Sequence, residues 1–445
     1  MTRRDFLGGL AVAPVAAFGG IAVRRSPAST QAVRVDAAAL RQRIEALSVF
    51  GRPPGGVFAD GVSRVAFSDA DVAGRKYVMD LMRAAGLEPR VDPAGNIYGR
   101  RRGGDATLPP ILFGSHIDSV PSGGNFDGDL GSLAALGVIE ACDRAKLQTR
   151  HPLEMVVWSS EEGVAFGRGL AGSRIVAGDV KPSDMDAVWN GMRRGDAVKK
   201  IGGNPERIMD AVRLKGAHHC YIELHIEQGG NLERAKTPVG VVEGIVSIDR
   251  YTAVVTGFAN HAGTTPMPDR QDALVAASFL TIAVREAVTK VPGRQVGTVG
   301  QIEVAPNAPN VIPGTVRMTI ELRDLSSEKL RGIMDDIRGR AQQIAQQTRT
   351  AIEIVDLSRN PSALASPDVQ RVIERAAGKL SFGSMRLPSG AGHDAQMMAQ
   401  LGPMGMIFVP SVAGISHSPK ELTHWEDCAN GANMLLQTVL EMDAL

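Results

Sequence analysis

Ile111-Leu112-Phe113-Gly114-Ser115-His116 opens the stretch that decides the fold. Its first three residues are a short apolar run, suited to a strand buried on both faces of a mostly parallel sheet. Residues 129–145 follow with Leu130, Leu133, Ala134, Gly137 and Ala141 at helical spacing. Met155-Val156-Val157-Trp158 is a second buried strand, and Met406-Ile407-Phe408-Val409 a third. Strand, loop, helix, strand is the grammar of an open α/β sheet. Ligands bind such sheets at the carboxyl ends of the strands. His116, Glu161 and Glu162 fall just past those ends.

Outward from this stretch the pattern changes. Asp249 to Thr256 and Thr315 to Leu325 alternate in character. In the second, Val316, Met318, Ile320 and Leu322 share one face, and Arg317, Thr319, Glu321 and Arg323 the other. Between them an amphipathic helix carries Ala273, Ala277, Leu280, Val284 and Val288 on one stripe. A further helix is expected over about 326–347. The expected architecture is an open mixed α/β sheet flanked by helices, with a smaller α+β layer inserted as a lid and dimerisation domain. The expected catalytic parts are 36–242 and 359–445, and the insertion is 243–358.

With 445 residues the chain is long enough for two domains. Lys and Arg total 49 against 48 Asp and Glu, a formal charge of +1. That balance gives no general attraction to nucleic acid or anionic lipid. Three Cys without a CxxC pair indicate no zinc knuckle or redox motif, argue against a disulfide framework, and are expected to be buried thiols. Thr2-Arg3-Arg4-Asp5-Phe6-Leu7 and the mildly apolar 8–23 resemble a twin-arginine export signal over 1–30. The expectation is a periplasmic or secreted protein, exported folded, with no stable membrane insertion.

The chemistry sits at the strand ends. His116 is followed two residues later by Asp118, and a nearby carboxylate orients the second nitrogen of a ligating imidazole. The glycines of Gly123-Gly124-Asn125-Phe126-Asp127-Gly128 let the backbone turn so that Asp127 shares that space. Glu161 and Glu162 repel unless a cation lies between them or one is protonated. One can hold metal while the other takes a proton from water. His225, within His225-Ile226-Glu227-Gln228-Gly229, and His417, within Ser416-His417-Ser418, complete a set sufficient for two ions with one bridging carboxylate. Two-metal hydrolases hold their ions roughly 3.5–4 Å apart. His218-His219 is set aside, because neighbours in a strand or helix do not face each other. Gly167-x-Gly169-x-x-Gly172 matches a dinucleotide-binding pattern but begins too far past the strand to serve as one.

Seven motifs occur in order: His-x-Asp-Ser-Val, Gly-Gly-x-Phe-Asp-Gly, Glu-Glu-Gly, His-Ile-Glu-Gln-Gly, Asn-His-Ala-Gly-Thr-Thr-Pro-Met, Gly-Ala-Gly-His-Asp-Ala and Ser-His-Ser-Pro. Together they resemble the hydantoinase/carbamoylase branch of the M20 metallopeptidase-like amidohydrolases, over about 36–445. That branch includes N-carbamoyl-L-amino acid hydrolases, β-ureidopropionases and allantoate amidohydrolases. The resemblance implies two divalent ions per subunit, with Mn, Co, Ni and Zn all compatible with an N/O ligand set. His116 and His225 would bind one ion and Glu162 and His417 the other, with Asp127 bridging. It implies Glu161 as general base and Asp118 orienting His116. Gln228, Asn310 and Arg323 would contact substrate. His261 would stabilise the oxyanion, often in the partner subunit of a homodimer formed through the inserted layer. The implied reaction is hydrolysis of an N-carbamoyl or related amide of a small amino-acid-like molecule, releasing ammonia and carbon dioxide. Two rival readings are an M20-type peptidase or N-acyl amino acid deacylase, and a non-catalytic binding protein on the same fold. His225 stands where the peptidases and deacylases of the superfamily generally use a carboxylate, and binding alone needs no base at Glu161. Ala165 and Asn125 depart from the family, which often carries basic residues there.

Overall fold

The computed structural model describes residues 33–445. The twin-arginine segment lies outside them. The elements used below are β1 (Arg90–Val91), β2 (Ile97–Arg101), β3 (Ile111–His116), β4 (Leu153–Trp158), β5 (Cys220–Ile226) and β6 (Val239–Ile245). Then come β7 (Ser247–Thr256), β8 (Val296–Ala305), β9 (Thr315–Asp324) and β10 (Ala351–Asn360). The last strands are β11 (Ala363–Leu364), β12 (Ser384–Ser389) and β13 (Met404–Val409). Four helices matter here: α1 (Asp129–Arg144), α2 (Ala273–Lys290), α3 (Ser327–Thr348) and α4 (Trp425–Asp443).

The larger sheet has nine strands in the order β1-β2-β4-β3-β5-β13-β6-β11, with β12 beside β6. Its centre, β4-β3-β5-β13, is parallel throughout. Antiparallel pairing is confined to β1, β2, β11 and the β13–β6 contact. Every residue of β3, β4, β5 and β13 is buried. The continuous apolar runs seen in the sequence therefore mark central strands covered on both faces. Helix α1 packs on this centre and is buried around most of its circumference. Its first residue, Asp129, meets Arg64 in a fully buried ion pair at 2.5 Å.

The smaller sheet is wholly antiparallel, in the order β8-β9-β7-β10. Its core joins Val316, Met318, Ile320 and Leu322 of β9 to Ala277, Leu280 and Val284 of α2 and to Leu330, Ile333 and Ile337 of α3. One sheet face is thus covered by two helices, as the alternating sequence requires. This smaller layer is inserted between β6 and β11 of the larger sheet. Helix α3 starts one residue later than its sequence pattern, because the Ser326 side chain caps it by accepting from Lys329 N. All three Cys are buried and free. Among the described residues no helix is long and apolar enough to cross a membrane.

Candidate metal centre and active-site cleft

The ends of the four central parallel strands and the loops after them converge on one point. His116 is the last residue of β3, and His225 the last but one of β5. Glu161 and Glu162 follow β4, and His417 lies in the loop after β13. Asp127 stands in the turn before α1, where Gly128 has φ +67 and any Cβ would lie 2.5 Å from the His116 ring. Only glycine lets this turn close against the imidazole.

Asp127 is the hub. Its Oδ1 lies 3.1 Å from His225 Nε2 and 3.5 Å from His116 Nε2, and its Oδ2 lies 3.3 Å from His417 Nε2. Glu162 Oε2 is 3.4 Å from the same His417 nitrogen. The result is two clusters, His116–Asp127–His225 and Asp127–Glu162–His417, each with its ligand atoms within 4.8 Å of one another. They share Asp127. Glu161 Oε2 stands beside them, 3.7 Å from His116 Nε2.

The ring orientations suit cation binding. His116 Nδ1 donates to the Asp118 carbonyl at 3.0 Å, and His225 Nδ1 to the Ile226 carbonyl at 2.9 Å. With the Nδ1 protons so placed, each ring presents Nε2 to Asp127; burial opposes a charged ring, but the carboxylates, Glu161 foremost at His116 and Asp127 at His225, raise both above the usual imidazole range. That nitrogen meets the carboxylate through a second proton or, once that proton is lost, through a positive ion lying between them. His225 Nε2 and Glu162 Oε1 are buried without any hydrogen-bond partner. The donor set therefore fits two divalent ions.

Asp118 differs from its expected part. Its carbonyl, not its carboxylate, holds His116; the nearer carboxylate oxygen is 3.8 Å from Nδ1. The carboxylate instead accepts from the backbone of Glu161 at 3.0 Å and of Glu162 at 3.2 Å. One residue thus sets both a candidate metal ligand and the acidic pair. The preceding Ser160 has φ +53, and Gln228 and His417 are also left-handed, at φ +56 and +54. Such strained positions persist where surrounding contacts over-determine them.

The charges are crowded. Burial lifts Glu161 well above the usual carboxylate range, with Glu162 and Asp394 adding to it against His116. Burial and then the Asp127 charge push Glu162 to about 8. Burial would also raise Asp127, but the surrounding imidazoles, His225 foremost, hold it well below the usual range. His417 is raised to about 9, mainly by its hydrogen bond with Asp127.

A cleft of about 310 Å³ opens above these groups, and residues of both layers line it. Arg323 reaches into it from β9, and Gln228 stands on its metal side. Gln228 Nε2 donates to Asp127 Oδ2 at 2.7 Å, which ties it to the hub. His261 and Asn310 do not line this cleft. They are neighbours elsewhere on the inserted layer, where Ala262 N donates to Asn310 O at 3.0 Å and His261 bridges to Val311. The His261 ring is exposed, and its Nδ1 accepts from the backbones of Gly263 and Thr264 at 2.9 and 3.2 Å. That cradle leaves the proton on Nε2, which faces outward as a donor.

Three supporting groups carried no assignment in the sequence. His393, in the Gly-Ala-Gly-His-Asp-Ala motif, lines the cleft and sits edge-on to His225 at 4.4 Å. Burial and the nearby His225 keep it neutral, well below the usual range. Glu223 accepts from Ser115 Oγ, Tyr221 OH and Ala395 N beneath the centre. Glu421 accepts from the backbones of Phe126 and Asp127 and from Ser416 Oγ, so it fixes the hub from behind. Its nearness in sequence to the Ser-His-Ser-Pro motif was the one available signal. Ala165 is buried in an apolar cluster, and Asn125 donates to the Phe58 carbonyl.

A model of peptidase family M20/M25/M40 matches residues 112–441. The N-carbamoyl-L-amino acid amidohydrolase of Geobacillus stearothermophilus is 39% identical over 404 residues, spanning 91% of this chain and 98% of its own. The ureidoglycolate hydrolase of Arabidopsis thaliana is 34% identical over 417 residues, 92% of this chain and 87% of its own. Among solved structures, a hydantoinase/carbamoylase family amidase from Burkholderia multivorans superposes with a TM-score of 0.84 at 33% identity. It covers 93% of this chain and 99% of its own.

Proposed function

Because the chain belongs to peptidase family M20/M25/M40 and to its hydantoinase/carbamoylase amidohydrolases, we propose that it hydrolyses the ureido group of a small N-carbamoyl amino acid. The observation that carries this reading is the cleft itself. A two-ion ligand set and an extra acidic residue, Glu161, form one wall, and the guanidinium of Arg323 lines the same cavity.

Each residue has a part. His116, His225, Asp127, Glu162 and His417 would hold two divalent ions, which would supply Lewis acidity and lower the pKa of water. Glu161 takes a proton from the attacking water and returns it to the leaving nitrogen. The bond from the carbonyl carbon to the amino-acid nitrogen breaks. Carbamic acid leaves and falls apart to ammonia and carbon dioxide. Arg323 pairs with the substrate carboxylate, which a planar guanidinium grips with two parallel hydrogen bonds. Gln228 orients the ureido group beside the hub. Asn310 and His261 complete the site from a second copy of the chain, with His261 Nε2–H donating to the developing oxyanion.

A homodimer is part of this proposal. Val275, Phe279 and Ile282 recur along one face of α2 and are 44%, 41% and 55% exposed. Beside them β8 is an edge strand of the smaller sheet. An apolar helix face next to an unpaired strand edge suits a second copy of the same surface. Export in the folded state through the 1–30 segment is proposed on its Arg3-Arg4 pattern alone, and cell fractionation tests it.

The function is tested with metal-loaded enzyme on matched ureido, formyl and acyl amino acids. Ammonia and free amino acid are expected from the ureido compounds. Faster amino-acid release from the acyl series would replace this reading with a deacylase. Metal dependence is a separate expectation. Chelation abolishes activity, and Mn, Co or Ni restores it, with about two ions per fully loaded chain by elemental analysis. A fully active protein with one ion would remove Asp127 from its bridging place.

A further inference from the structure

Arg323 is not the only guanidinium on the cleft wall. Arg250, on β7, pairs in register with Glu321 on β9, and both arginines use that single carboxylate. Arg250 Nε donates to Glu321 Oε2 at 2.6 Å, and Arg323 Nε donates to Oε1 at 2.8 Å. Glu321 therefore stands between the two cations, one on each oxygen. Burial would raise its carboxyl, but the two arginines hold it below the usual range.

The arginines are not equally committed. Arg323 also donates from Nη1 to the Gly390 carbonyl at 2.6 Å. Arg250 has no hydrogen bond beyond its Nε contact among the described residues, and its side chain is 38% exposed. Its two Nη groups are therefore available to a ligand in the cleft. Two guanidinium groups with one carboxylate leave a surplus positive charge on this wall. Arg174, Asn360 and Gln396 add further polar groups to the cavity, whereas Leu170, Ile248 and Ala391 are its only apolar side chains larger than glycine. Such a lining pays poorly for a large apolar side chain and well for an anionic one.

We propose that Arg250 is a specificity residue, selecting ureido acids whose side chain carries a second carboxylate. This rests on the ureido-hydrolase reading above. Arg323 takes the carboxylate adjacent to the ureido nitrogen, and the Nη edge of Arg250 takes the side-chain carboxylate. Glu321, hydrogen-bonded to both, holds the two guanidinium groups in fixed positions.

The test compares N-carbamoyl-L-aspartate and N-carbamoyl-L-glutamate with N-carbamoyl-L-leucine, on wild type, Arg250→Met and Arg250→Gln, with metal content and melting temperature recorded. Wild type is expected to favour an acidic substrate in kcat/KM. Each variant is expected to lower kcat/KM for it by about 10–100-fold, the size of one lost charge-assisted hydrogen bond. The loss should appear mainly in KM, with a much smaller change on the leucine compound. A wild-type preference for leucine, or an equal loss on all three substrates, overturns the assignment of Arg250. If no ureido acid is hydrolysed at all, the underlying function fails instead, and the two failures are thereby distinct.

Discussion

Glu161→Gln is expected to lower turnover by at least about 10²-fold while metal content stays at the wild-type level. Glutamine keeps the size and one oxygen of the side chain and removes only the proton acceptor. The residue is not in either ligand cluster, so both ion sites survive the change. Its backbone is held by the Asp118 carboxylate, which binds the amide of residue 161 whatever the side chain. Burial makes a carboxyl here reluctant to stay charged, the condition that suits a group accepting and then returning a proton. Removing it also relieves repulsion with Glu162, so ion binding should not weaken. Steady-state rates on a ureido substrate, with elemental analysis of the same preparation, decide the matter. Turnover near wild type would move the base to another residue.

His261→Ala should also lower kcat strongly with no change in metal content, since its ring touches no ligand. Losing one oxyanion donor costs about 10²–10³-fold in turnover. The Gly263 and Thr264 amides that fix Nδ1 make the ring a preset donor on Nε2, and its exposure leaves that nitrogen open to another surface. His261 and Asn310 sit together and away from their own cleft. Mixed dimers of His261→Ala and Glu161→Gln chains should therefore recover part of the activity, because one of the two sites then has both an intact base and an intact donor. After verified subunit exchange, no recovery would assign the donor to its own chain. An undiminished His261→Ala enzyme would remove it from the reaction.

What could be read from the sequence follows from the physics of each segment. Central strands such as 111–116 and 404–409 were legible because burial on both faces demands unbroken apolar runs. Two strands of the smaller sheet, at 249–256 and 315–325, were legible because one face meets helices and the other does not; its outer strands at 296–305 and 351–360, mostly exposed, were not. Metal-ligand candidates stood out because His, Asp and Glu just past buried strands are costly without a purpose. Residues 163–217 were not legible. They form short helices and a two-stranded ribbon, too brief for any periodicity to register. Spacing alone does not say whether the carbonyl or the carboxylate of Asp118 meets the ring two residues earlier. Glu223, His393 and Glu421 act through contacts made only in three dimensions. Arg250 looked like an ordinary strand residue until the register set it opposite Glu321.

The strand order of the larger sheet also constrains how the chain can be made. β13, which leaves the ribosome after every other described strand, lies between β5 and β6, which emerge well before it. Until it arrives, β5 and β6 each present a bare apolar edge where a neighbour belongs. Nascent chains of this protein must therefore persist with an unfinished centre, exposed to wrong pairing. Closing the gap needs contacts between residues far apart in sequence, which form slowly. A shortened chain ending before residue 404 would keep every element of the smaller layer yet lack the middle of the larger one. It should accumulate as aggregate rather than as a weakened enzyme.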